Sequence, residues 1–115
     1  MTAMRYGAGA EANTPVNTIT NLLGTGTANG TITLSDSLAN YQFVAIATYF
    51  GDAYSTFDII PVGYFKSPLM PFYIRLDTNN TYRHIQVSYA SDTSVTITNR
   101  TSLNVHIIGV KLGGA

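Results

Sequence analysis

The stretch Arg83-His84-Ile85-Gln86-Val87-Ser88-Tyr89 decides the fold class. Ile85, Val87 and Tyr89 fall on every second position, and His84, Gln86 and Ser88 fall between them. Strict alternation puts one face in a core and the other in water, which is the period of a β-strand. A helix would need apolar residues three and four apart. Phe72 to Leu76 alternates in the same way, with Phe72, Ile74 and Leu76 on one side, and Ser94 to Thr98 alternates through Val95 and Ile97. Asp77-Thr78-Asn79-Asn80-Thr81, just before the deciding stretch, is turn chemistry.

Further out, Thr31-Ile32-Thr33-Leu34 follows Ala28-Asn29-Gly30. Asn-Gly supplies the positive φ angles of a type I′ turn, so a hairpin is predicted there. Ser35 to Asn40 reads as a turn or one helical turn capped by Ser35 or Asp36. Gln42 to Phe50 is apolar on both faces, with Phe43, Ala45, Ala47 and Tyr49 on one and Val44, Ile46 and Phe50 on the other. Such a strand is predicted to be central or to be covered by another subunit. Gly51 to Thr56 reads as a loop, and Phe57 to Val62 as a short strand that Pro61 confines to an edge or bulge. Lys66-Ser67-Pro68 and Met70-Pro71 bracket another loop, and Val105 to Leu112 closes the domain. No helical period is sustained over about 11 residues. About seven or eight short strands are predicted, an all-β antiparallel sandwich of jelly-roll-like build. Residues 17–112 form this domain; 1–16 read as a Gly/Ala-rich lead-in and 113–115 as a tail.

The chain has 115 residues, the size of one domain. Charged residues are 10% of it, against about 25% in an ordinary soluble domain. Thr, Asn, Ser, Gly and eight Tyr take their place, a composition that suits a rigid β-protein whose surface is partly buried in an oligomer. Zero net charge gives no electrostatic footprint for nucleic acid. The absence of Cys excludes disulfides, thiolate metal sites and thiol nucleophiles. No apolar run reaches the roughly 18 residues of a spanning helix, so no membrane insertion is expected. Met1 to Ala10 lacks the apolar stretch of a secretory signal.

Chemistry-bearing residues are sparse. The carboxylates are Glu11, Asp36, Asp52, Asp58, Asp77 and Asp92, all in or beside turns, where capping is their ordinary use. His84 and His106 have no carboxylate at ligand spacing, so no metal site is predicted. Gly24-Thr25-Gly26 does not continue into a dinucleotide fingerprint, and no Gly-x-Ser-x-Gly elbow occurs. No catalytic residue and no cofactor are predicted, and the chain is read as a non-enzyme. Two loops carry the candidates for a ligand: Asp52 with Tyr54, and Asn79, Asn80, Tyr82 and Arg83. Tyrosine stacks on the apolar face of a pyranose while carboxylate and carboxamide groups bind its hydroxyls, so these six are the predicted glycan contacts.

Gly30-Thr31-Ile32-Thr33-Leu34-Ser35, then Leu38 and Tyr41-Gln42-Phe43, resemble the opening of the β-domain at the C-terminal, distal end of tailed-bacteriophage tail fibre and tailspike proteins. Ile60-Pro61-Val62, Ser88-Tyr89-Ala90-Ser91-Asp92-Thr93 and Ile107-Ile108-Gly109-Val110-Lys111-Leu112 fit the same pattern. The resemblance runs over 24–112 and contains no catalytic signature. It implies a homotrimer at the tip of a virion fibre or spike, made in the host cytoplasm and joined to an upstream fibre shaft. Such a domain attaches to a bacterial surface polysaccharide or lipopolysaccharide. A trimerisation or folding-chaperone module is the alternative, and a small lectin-like domain another. The family has no fixed binding set to carry over, so the six residues above rest on their chemistry alone.

Overall fold

A computed structural model describes residues 17–27, 29–51, 54–67, 71–78, 81–98 and 103–113. The predicted lead-in, 1–16, lies outside them. The strands among these residues are β1 (Asn17–Gly26), β2 (Gly30–Thr33), β3 (Phe43–Phe50), β4 (Tyr54–Pro61), β5 (Phe72–Thr78), β6 (Thr81–Ser91), β7 (Ser94–Thr98) and β8 (Asn104–Gly113). A 3₁₀ turn, Leu38–Asn40, precedes β3, and a single helical turn, α1 (Val62–Phe65), follows β4. The strands form two four-stranded antiparallel sheets, A in the order β1-β8-β3-β4 and B in the order β2-β7-β6-β5.

Both sheets send alternate residues into one core. Val44, Ile46, Val105 and Ile107 come from sheet A, and Ile32, Ile74, Ile85, Val87, Val95 and Ile97 from sheet B. Each such side chain contributes about 1.5–3 kcal/mol when it leaves water. The predicted alternation of β6 is observed: Ile85 and Val87 are fully buried, Tyr89 packs against the core, and His84, Gln86 and Ser88 point outward. The doubly apolar β3 is central in sheet A, between β8 and β4. Its buried Thr48 hydroxyl is satisfied by a hydrogen bond to the Thr56 hydroxyl on β4.

Five expectations are corrected. Ala28-Asn29-Gly30 does not join a hairpin, because β1 and β2 belong to different sheets. The reason lies in Gly24 and Gly26. A Cβ on Gly24 would stand 2.6 Å from Ile32 Cγ2, so the Ile32 side chain of β2 lies against the backbone of β1 and the two strands do not pair. The cap of the 38–40 turn is Ser37, whose Oγ accepts from the Ala39 N–H, and neither Ser35 nor Asp36 fills that place. The 51–56 loop is shorter than predicted, since pairing of Phe50 with Tyr54 starts β4 at once. Val62, predicted as the last residue of a strand from Phe57, instead opens a helical turn. Gly113 is strand, not tail, and pairs with Asn17.

The two ends of the sheets differ. At one end a corner, residues 35–42, carries the chain from β2 in sheet B to β3 in sheet A and ties both together. Leu34 and Leu38 donate their N–H groups to the Thr93 and Asp92 carbonyls, and Ser35 donates to Leu23. Gln42 donates to Val110 and its carbonyl accepts from Val62, while its Oε1 accepts from the Leu112 N–H at 3.1 Å. Tyr41 lies flat on Gly109, where any Cβ would come within 2.7 Å of the ring. Its hydroxyl donates to Asp36 and accepts from Asn21 Nδ2, and Asp36 also accepts from Asn40 Nδ2 and the Ser37 N–H. The opposite end carries the strand ends that flank 28, 52–53, 79–80 and 99–102.

Candidate functional site

The predicted ligand residues are tied to this second, open end. Asp52, Asn79 and Asn80 lie outside the described residues. Tyr54 opens β4 opposite Phe50. Antiparallel topology brings the β3–β4 and β5–β6 connections to the same end, one from each sheet. Between them Arg83 sets its guanidinium 3.8 Å from the centre of the Phe50 ring, a cation–π contact from β6 to β3. Arg83 shares the parity of Ile85 and Val87, so it is directed to the core side of sheet B and is half-buried.

Tyr82 falls on the opposite, outer face of that sheet and is 51% exposed. There the pairing of β5 with β6 sets Asp77 beside Tyr82, Arg75 beside His84 and Tyr73 beside Gln86. Tyr73, His84 and Tyr82 stack in one column, with centroids 5.0 and 5.7 Å apart and rings within 26° of parallel. The Arg75 guanidinium lies 4.3 Å from the centre of the Tyr82 ring, while its Nε donates to Asp77 Oδ1 at 2.8 Å. That hydrogen bond to Asp77 holds the guanidinium above even its ordinary high pKa. Tyr73 is 55% exposed. The column continues sideways into a hydroxyl-rich strip, where Gln86 pairs with Thr98 and Ser88 with Thr96.

This arrangement offers exposed aromatic surface, phenol hydroxyls, one oriented ion pair and a flat polar apron. It can hold a ligand that is apolar on its faces and hydroxylated on its rim. Among the described residues no group of three His, Cys, Asp or Glu could hold a metal ion.

Tyr73, Arg75, His84 and Gln86 were missed as site residues. Their signal was present in the sequence. Pairing of Thr78 with Thr81 fixes the register of β5 on β6, and the alternation then sends 73, 75, 77, 82, 84 and 86 to one face. A second concavity at the open end is a cleft of about 280 Å³ lined by Thr25, Gly26, Thr27, Tyr49, Asn104 and His106. Its polar groups largely engage one another: Tyr49 Oη lies 3.3 Å from His106 Nε2, and Asn104 Nδ2 donates to the Tyr49 carbonyl.

No family model, no curated protein and no solved structure matches the chain.

Proposed function

We propose that the chain is a non-enzymatic attachment domain that binds a bacterial surface glycan at the distal tip of a phage tail fibre or tailspike. In this reading the two sheets are the layers of an antiparallel β-sandwich. Its outer turns, β1 with β8 and β2 with β7, run as in a jelly roll, while β3–β4 and β5–β6 close as local hairpins. The domain works as a homotrimer on an upstream shaft.

The observation that carries the glycan reading is the exposed column Tyr73–His84–Tyr82, steadied by Arg75 and Asp77 on a Thr-rich sheet face. A protein core has no use for rings placed there. Sugar rings bind by apolar stacking and by hydrogen bonds to hydroxyls, and both are supplied within one strand pair. The fibre reading draws support from the residues that carry the resemblance. Of the stretches Gly30–Ser35, Leu38, Tyr41–Phe43, Ile60–Val62, Ser88–Thr93 and Ile107–Leu112, each has residues that reach the 35–42 corner, although Gly30 begins at the other end. They form one structural unit, as a shared fold would require.

Purified protein is expected to bind lipopolysaccharide or capsular polysaccharide from a susceptible bacterium on a glycan array. Tyr73→Ala and Tyr82→Ala should each weaken that binding at least tenfold without altering the circular dichroism spectrum. Binding unchanged in both variants, or no binding across a broad panel, would overturn the reading. The trimerisation-module alternative gains from the apolar outer face of sheet A. It predicts instead that deleting the domain leaves the upstream fibre insoluble.

A further inference from the structure

The geometry points to the outer face of sheet A as the surface through which three copies of this chain associate around a common axis. It rests on the association of copies in the reading above, and not on the glycan. The register lays rows across this face: Leu22, Ile108, Ala45 and Ile59 form an apolar one, and in the next Ala47 and Phe57 stand beside His106 and Thr25. Leu22 is 55% exposed, Phe57 59% and Ile59 57%. These side chains serve no core, since the sheet's other face already fills it.

The occupant follows from charge and dimensions. Among the described residues no Asp, Glu, Lys or Arg stands at an outward position of sheet A. Asp58 and Lys111 have the other parity, opposite Ile46 and Ile19. An uncharged face brings no like charges together when it meets its own copy, and it offers a charged partner nothing to pair with. Four strands about 4.8 Å apart and about eight residues long give a footprint of roughly 500 Å². Corrugated by side chains, that approaches the roughly 800 Å² of accessible surface per partner in a stable interface.

The width of the sheet suits three copies. Three sheets about 19 Å wide, set as the sides of a triangular prism, stand about 5.5 Å from its axis, half of the roughly 10 Å that separates packed sheets. Side chains of the three faces then meet at the axis and leave no channel. Of the two central strands, β3 is low at the middle of the face, where Ala45 is fully buried and Ala47 follows it, with Phe43 and Tyr49 toward its ends, and β8 sets Ile108 and His106 beside the two alanines. The edge strands present Phe57, Ile59 and Leu22 at the corners, where β4 of one copy comes beside β1 of the next.

Light scattering on the eluting full chain tests this, with Ile59→Lys and Phe57→Lys on the face and Tyr73→Lys on the opposite one as control. The wild type and Tyr73→Lys are expected at three times the 12.4 kDa chain mass. Ile59→Lys and Phe57→Lys should fall threefold to a single-chain mass with an unchanged circular dichroism spectrum. A trimer that survives both variants overturns the face while leaving the trimeric reading intact. A two-chain mass overturns the threefold arrangement, and a one-chain wild type overturns both. Should one lysine variant misfold, the other decides. Glycan binding measured on the same samples separates these outcomes from failure of the glycan site.

Discussion

The two ends of the molecule differ in what their polar groups are doing. At the 35–42 corner they are engaged within the fold: Asp36 accepts three hydrogen bonds, Gln42 makes three, and Asp92 receives both Tyr89 Oη and Lys66 Nζ. Toward the open end, Tyr73 and Tyr82 keep half their surface in water and Arg75 pairs only on an exposed edge. The polar groups of the first end are therefore consumed by architecture, and those still open to solvent lie toward the second.

Glycine substitutions separate the ends most sharply. Gly109→Val drives a side chain into the Tyr41 ring, which is held by Asp36, Asn21 and Lys111 and has nowhere to go. Overpacking of this kind should cost about 3 kcal/mol, and thermal unfolding at fixed protein concentration should show a drop of about 10 °C. Gly51→Ala at the open end meets open space and suffers only from its φ of 62°. Its cost should be about 1 kcal/mol. Equal losses at the two sites would erase the contrast. Between these two in effect stands Tyr41→Phe, which keeps the ring on Gly109 but removes the bonds to Asp36 and Asn21. About 1–2 kcal/mol should be lost in urea titration, with the m-value unchanged.

Acid probes the same end. Hydrogen bonds from Tyr41, Asn40 and the Ser37 N–H hold the Asp36 carboxyl below its ordinary pKa of 3.8, and Tyr89 with Lys66 does the same for Asp92. A depressed folded-state pKa gives stability that is complete above the unfolded value and is lost as pH falls through the folded one. Stability should thus be level above about pH 5 and decline below about pH 4. In the Asp36→Asn, Asp92→Asn double variant that decline should be shallower, as followed by urea midpoints against pH. A slope identical to wild type would show that the acid-sensitive groups lie elsewhere.

Much of this was legible in the residues and some was not, for physical reasons. Period-two alternation in 72–76, 83–89 and 94–98 gives strands and core faces directly, since burial itself imposes the period. The destination of β2 was not legible, because Asn-Gly chemistry favours a local turn and the competing term is long-range. Ile32 finds its place against Gly24 and Gly26 only once the two sheets share a core. Arg83 beside Tyr82 shows the same limit at the site. Neighbours in sequence are opposite in a strand, so one faces the core-side Phe50 and the other the solvent. Reading the candidates by strand parity across the β5–β6 turn, instead of by loop, assembles Tyr73, Arg75, His84 and Tyr82.

The smallest expected effect on stability is the most telling for function. Tyr73→Ala and Tyr82→Ala remove side chains that bury little and bond to nothing in the core. Each should shift the unfolding free energy by no more than about 0.5–1 kcal/mol, the scale of an exposed stack or cation–π contact. Tyr82 should be the costlier of the two, because its ring also carries Arg75. A loss of several kcal/mol from either would mean that the column braces the β5–β6 hairpin as the corner braces the other end. The difference between the ends would then be one of degree. A near-neutral result leaves three ordered rings on the outer face with no structural debt to discharge, which is the condition a binding platform must meet.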